Sequence, residues 1–95
     1  MASKLSNAEV RERLTAIDGW ELRGSEIART YTFKNFSQSI AFVNQMAEYA
    51  ERVNHHPDIL VTWNKVTLRV FTHDAGGLTD KDFALASEAN AQARS

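Results

Sequence analysis

Pro57-Asp58-Ile59-Leu60-Val61-Thr62-Trp63-Asn64-Lys65-Val66-Thr67-Leu68-Arg69-Val70-Phe71-Thr72-His73 is the stretch on which the fold turns. Pro57 cannot continue a helix, and it pushes the residue before it toward an extended backbone. Beyond it Ile59, Val61 and Trp63 alternate with polar residues, as do Val66, Leu68 and Val70, which is the period of a half-buried strand. Asn64-Lys65 between the two runs reads as a two-residue hairpin turn, with Asn suited to the first position and Lys less favoured than Gly at the second. That turn sets Ile59 opposite Val70, Val61 opposite Leu68 and Trp63 opposite Val66. All three pairs are apolar and share one face, so the register is self-consistent. Carried further, the same register puts His73 across from His56. Pro57 and the end of the preceding helix distort that pairing, so the expectation is proximity and not a ladder contact.

Upstream, Ile40, Val43, Met46-Ala47, Ala50 and Val53 keep the three-four spacing of an apolar helix stripe, with Ser37 as the expected N-cap and an end near Val53 or Asn54. Phe42 and Tyr49 fall off that stripe. Ser6-x-x-Glu9 is a capping-box pattern, followed at helical spacing by Val10, Leu14 and Ile17, with Gly19 as the expected stop. Trp20–Leu22 and Ile27–Phe33 read as strands joined across Arg23-Gly24-Ser25, with Ile27, Arg29, Tyr31 and Phe33 on one face. Downstream, Gly76-Gly77 reads as a flexible corner. Thr79-x-x-Asp82 then opens a last amphipathic helix through Phe83, Leu85, Ala86 and Ala89. The order α-β-β-α-β-β-α, with two hairpins and no long crossover, predicts an α+β fold: a four-stranded antiparallel sheet with three helices on one face, in a single domain over residues 1–95. Trp63, Phe33 and Phe83 are expected in the core.

Composition narrows the function. With 95 residues the chain supports one modest core, and self-association is expected of so small a domain. A net charge of −1 argues against a nucleic-acid binder. The absence of cysteine excludes disulfides, thiolate zinc sites and cysteine nucleophiles. No apolar run has the length of a membrane span, and the first seven residues lack the pattern of a signal peptide, so the expected location is the cytoplasm.

All three histidines, His55, His56 and His73, converge on one corner by the hairpin argument, with Glu51, Asn54, Thr72 and Asp74 close by in sequence. Imidazoles with carboxylates at hand can both donate and accept a proton near neutral pH. Three histidines could instead hold zinc. Adjacent His55 and His56 on a helix would point about 100° apart, which is awkward for chelation, so acid–base chemistry without a metal is the expectation.

The runs Glu51-Arg52-Val53-Asn54-His55-His56-Pro57-Asp58, Trp63-Asn64-Lys65-Val66 and Thr72-His73-Asp74-Ala75-Gly76-Gly77-Leu78-Thr79-Asp80-Lys81-Asp82 together resemble the pterin-4a-carbinolamine dehydratases. The likeness spans nearly the whole chain, including Gly19-Trp20 and the aromatic strand near Tyr31-Phe33. It implies dehydration of a 4a-hydroxytetrahydropterin, the product of aromatic amino-acid hydroxylases, to the quinonoid dihydropterin, with no metal or organic cofactor. The family's catalytic histidines map onto His55, His56 and His73, and its pterin-contacting positions onto Asn54, Pro57, Phe71, Thr72 and Asp74. Glu51 matches an assisting carboxylate. The resemblance also implies a homodimer or homotetramer. In animal members it implies a second role as a dimerisation partner of a homeodomain transcription factor, which makes a coactivator-type binding module the alternative reading. Asn54 and Ile59 depart from many animal members, which carry Asp and an aromatic residue there.

Overall fold

The computed structural model describes residues 3–94. The decisive hairpin forms as β3 (Asp58–Thr62) and β4 (Lys65–Val70), but in a different register from the one expected. Ile59 faces Leu68, Val61 faces Val66 and Thr62 faces Lys65, so the two-residue turn is Trp63-Asn64. The reason lies in the neighbouring strand, β2 (Glu26–Thr32). At its end the Phe33 N–H donates to the Asn64 carbonyl at 2.7 Å, and the Asn64 side-chain amide donates to the Phe33 carbonyl at 3.1 Å. Asn64 is thereby bound to β2, and the reversal falls one residue earlier. Each partner moves by two residues, so the inward and outward faces are unchanged. Trp63 leaves the ladder. It sits at the turn with φ of 52° and is 68% exposed, against the expectation of a core residue. A bulky side chain in left-handed backbone is strained there.

The sheet is antiparallel throughout, in the order β1-β2-β4-β3, with β1 (Glu21–Arg23) closing the other edge. Gly24-Ser25 joins β1 to β2. Ile27 and Tyr31 of β2 and Val66, Leu68 and Val70 of β4 form the buried floor on which the helices pack. Each such side chain contributes about 1.5–3 kcal/mol by leaving water. β3 is an edge strand, and Ile59 and Leu60 on it remain exposed.

Three helices cover the sheet. The first, α1 (Asn7–Leu14), has the Ser6–Glu9 capping box that the sequence announces, but it ends at Thr15 and not at Gly19. The Thr15 hydroxyl bonds back to the Glu12 carbonyl, and the next amides bond three residues back, which tightens and stops the helix. The second, α2 (Phe36–Val53), starts from Asn35, whose side chain accepts the Gln38 N–H, and not from Ser37. Its buried face is Ser39, Phe42, Met46 and Ala50, while Ala47 and Val53 are exposed. Phe42 therefore belongs to the core, where it packs against Tyr31 and Phe33. The third, α3 (Asp80–Ala93), opens with the Thr79–Asp82 capping box and buries Phe83, Leu85, Ala86 and Ala89. No helix among the described residues is long and apolar enough to cross a membrane.

Candidate active site

The end of α2 decides where two of the histidines go. Asn54 adopts a left-handed conformation with φ of 53°, which Asn tolerates better than most residues. The N–H groups of Asn54 and His55 both bond to the Ala50 carbonyl, which terminates the helix in the manner of a Schellman cap. His55 and His56 thus lie beyond the helix, and the reversal at Asn54 sends their rings to different partners.

His55 turns inward and its side chain is 11% exposed. Its Nε2 lies 2.7 Å from Oδ1 of Asp82, a carboxylate with no exposed surface. The other oxygen of Asp82 accepts the Thr79 N–H at 2.9 Å and the Thr72 hydroxyl at 2.8 Å. One buried carboxylate therefore completes the capping box of α3, anchors the turn before it and fixes a histidine ring. An ionised carboxylate only accepts, so Nε2 of His55 carries a proton and Nδ1 is left for another partner. His56 turns outward, and its Nε2 is hydrogen-bonded to Oε2 of Glu51, with both side chains at least half exposed.

His73 arrives by another route. The ladder of β3 and β4 ends at Asp58 and Arg69, so His73 and His56 are not ladder partners, as expected beside Pro57, and it is not the hairpin ladder that brings them together. Instead a 3-10 turn, His73–Ala75, swings it in. The turn is closed by backbone bonds in both directions between Thr72 and Gly77 and is capped by Gly76 in left-handed backbone. Gly77 is buried, with the Lys4 side chain where a Cβ would stand, so the expected flexible corner is a tied one. The His73 ring sits edge-on to Phe71 at 4.4 Å between centroids, and neither ring nitrogen has a hydrogen-bond partner among the described residues.

These routes end at one cavity of about 290 Å³, lined by Asn54, His55, His56, Phe71, Thr72, His73, Asp74 and Lys81. Of the expected contact residues, Glu51 reaches the site through His56, and Pro57 is half-buried just outside the lining. Thr72 lines the cavity, but its hydroxyl is committed to Asp82 and Thr79. Two members of the site are absent from the sequence reading. Lys81 adds the cavity's one permanent cation. In the sequence Asp82 shows only its capping role; the sign of a second one is Asp at a capping-box position where Glu is usual, since the shorter side chain stays under the helix end. Among the described residues no three His, Cys, Asp or Glu side chains form a group that could hold a metal ion.

An open antiparallel sheet backed by three helices thus carries three imidazoles in one polar cavity. The family model described as pterin 4 alpha carbinolamine dehydratase matches residues 3–92, and the chain belongs to that family. A protein of Roseiflexus sp. (strain RS-1) is 52% identical over 93% of this chain and 95% of its own. One of Trichormus variabilis is 48% identical over 92% and 94%. Both carry the provisional name pterin-4-alpha-carbinolamine dehydratase. The crystal structure of a transcriptional coactivator/pterin dehydratase from Brucella melitensis is 38% identical, with a TM-score of 0.92 over 96% of this chain and 99% of that one. A pterin dehydratase-like protein identified as a RuBisCO assembly factor in the alpha-carboxysome shares the fold, with a TM-score of 0.70 at 22% identity over 81% of this chain and 92% of that one.

Proposed function

We propose that this chain removes water from a 4a-hydroxytetrahydropterin, giving the quinonoid dihydropterin and so serving tetrahydrobiopterin recycling, with His55, His56 and His73 as its acid–base groups. The observation that carries the reading is the meeting of three imidazoles in one cavity, each in a different state of engagement. The reaction needs two proton movements. The C4a–O bond breaks as the departing oxygen takes a proton and leaves as water. A ring N–H gives up its proton, and its electron pair forms the new C=N bond. His73, with both nitrogens uncommitted, and His56, backed by Glu51, are the principal acid and base. His55, immobilised by Asp82, presents Nδ1 as a fixed orienting group for the hydroxyl. Asn54, Phe71 and Asp74 line the pterin's place, with Pro57 at its edge. Thr72 acts indirectly, through Asp82.

The test is a direct assay following loss of the carbinolamine absorbance. Positioned acid–base groups contribute about 10²–10⁴-fold, so His56→Ala and His73→Ala are each expected to slow turnover by a factor in that range while leaving the fold intact. Unchanged turnover in both variants overturns the reading.

The exposed apolar residues Ile59 and Leu60 on an edge strand, with Trp63 beside them, favour a homo-oligomer as the working form. Sedimentation of the wild type against a Leu60→Lys variant checks this: the variant is expected to shift toward monomer. A coactivator-type binding role is the second reading, favoured by the same exposed edge. It predicts partner capture that survives replacement of the histidines.

A further inference from the structure

A larger cavity, about 530 Å³, lies at the opposite end of α3 from the histidines. Asn90 of that helix faces it, as do Arg29 and Tyr31 of β2, with Asp18 and Arg94 at its margins. The helix has 14 residues, so the two cavities are about 20 Å apart along it.

The corner is rich in donors and poor in acceptors. Oδ1 of Asn90 receives Arg29 Nη1 at 2.8 Å and the Tyr31 hydroxyl, and Trp20 Nε1 divides its proton between that oxygen and the Tyr31 hydroxyl oxygen, 3.1 Å from each. A carbonyl oxygen has two lone pairs, so three donors overfill it. Burial pushes the Tyr31 phenol above its ordinary pKa, against the pull of Trp20 and Arg29, which keeps it an O–H donor.

The Arg29 guanidinium is seated for use. It lies 4.5 Å from the Tyr31 ring centroid, and its Nη1 also donates to the Asp18 carbonyl at 2.6 Å. A Cβ on Gly19 would stand 2.5 Å from Cζ, so this seat requires glycine there. Both bonds use a single nitrogen, and Nε and Nη2 have no acceptor among the described residues. Arg94 has no ion-pair partner among them either. Against two guanidinium groups the lining offers one carboxylate, Asp18.

We propose that this cavity binds a small organic anion, a carboxylate or a phosphate ester, through Arg29 and Arg94. Its volume falls in the range of small-molecule sites, about 300–1,000 Å³, and exceeds what an inorganic ion needs. Planar guanidinium groups are the side chains best matched to either oxyanion. The inference does not depend on the dehydratase reading, because it uses none of the histidine cavity.

The chain has two tryptophans, and they make the experiment self-controlled. Trp20 bonds to the donor cluster, while Trp63 is exposed at the β3–β4 turn. Benzoate and phenyl phosphate are titrated separately into the protein at constant ionic strength while both indole N–H signals are followed by NMR. The expected result is a saturable shift of the Trp20 signal with Trp63 unmoved, and at least a tenfold loss of affinity in Arg94→Glu. The tighter probe names the anion. Arg94 sits at an exposed helix end, so that variant should fold and keep its dehydration rate. A shift that does not saturate, that is equal in Arg94→Glu, or that follows protein concentration and not probe concentration overturns the proposal; the last would mean that another copy fills the cavity.

Discussion

His55 and His56 are adjacent in the chain, and each presents Nε2 to a carboxylate, yet the two pairs differ in almost every physical respect. Asp82 is fully buried, serves three donors from three segments, and holds a ring that is itself nearly buried. Glu51 and His56 meet in solvent, five residues apart across the end of α2, and each has water as an alternative partner. Coulomb attraction at a given separation is several times stronger where the surroundings are less polar than water, but burial also makes each unmet donor costly. The inner pair therefore sets geometry, at the risk of the fold, whereas the outer pair can exchange partners and protons without structural consequence. An orienting group belongs with the first and a proton carrier with the second.

Breaking the inner pair tests this most severely. Asp82→Ala removes the N3 half of the α3 capping box, strands the Thr79 N–H and the His55 ring N–H, and leaves the Thr72 hydroxyl with Thr79 alone. Unmet buried groups cost about 1–3 kcal/mol each, so a total loss of about 3 kcal/mol or more is expected, read from the urea midpoint. Against the roughly 5–15 kcal/mol that stabilises a small domain, that is a large share. Asp82→Asn is subtler. The amide must put its oxygen toward Thr79 and Thr72, which leaves its NH₂ group facing His55. Nε2 would then have to accept, and the proton would move to Nδ1, the atom offered to substrate. The variant is expected to fold, to show the reversed tautomer in imidazole ¹⁵N spectra, and to lose roughly tenfold to a hundredfold in turnover, less than removal of a principal acid or base, because His55 orients the hydroxyl. A native tautomer with native turnover would dissolve the distinction drawn between the pairs.

The same contrast explains what could be read from the chain beforehand. Strand alternation, two capping boxes and Pro57 were enough for the element order and the open sheet, because each is a local signal. Facing residues of the hairpin were not, because the turn position is set by Asn64 bonding to Phe33, a residue 31 positions away. Trp63 went with it: in the expected register it would be inward, and at the turn it is exposed. The α2 stripe was misplaced since Ala47 and Val53 scored as apolar, while the buried Ser39 did not. In the site the histidines were visible as a group with Glu51 close by, but helical spacing sets Glu51 one turn before His55, and it is the left-handed turn at Asn54 that gives it His56 instead. Asp82 was hidden because its local role, capping, already accounted for it. Its second role exists only once α3 is packed beneath the end of α2.

The outer pair should yield the smallest effect, and its sensitivity to salt can separate it from the inner one. Glu51→Gln keeps a hydrogen-bond acceptor for His56 but removes the charge. Exposed ion pairs contribute about 1 kcal/mol at most, so the urea midpoint should scarcely move. Turnover is expected to fall only a few-fold, through His56. The lost attraction is solvent-exposed and screened, with a Debye length of about 10 Å at 0.1 M salt and about 3 Å at 1 M. Raising sodium chloride across that interval should therefore narrow the turnover gap between wild type and Glu51→Gln while leaving that between wild type and Asp82→Asn unchanged. If both gaps responded alike, Asp82 and Glu51 would be acting through the same screened charge, and burial would not be what divides their work.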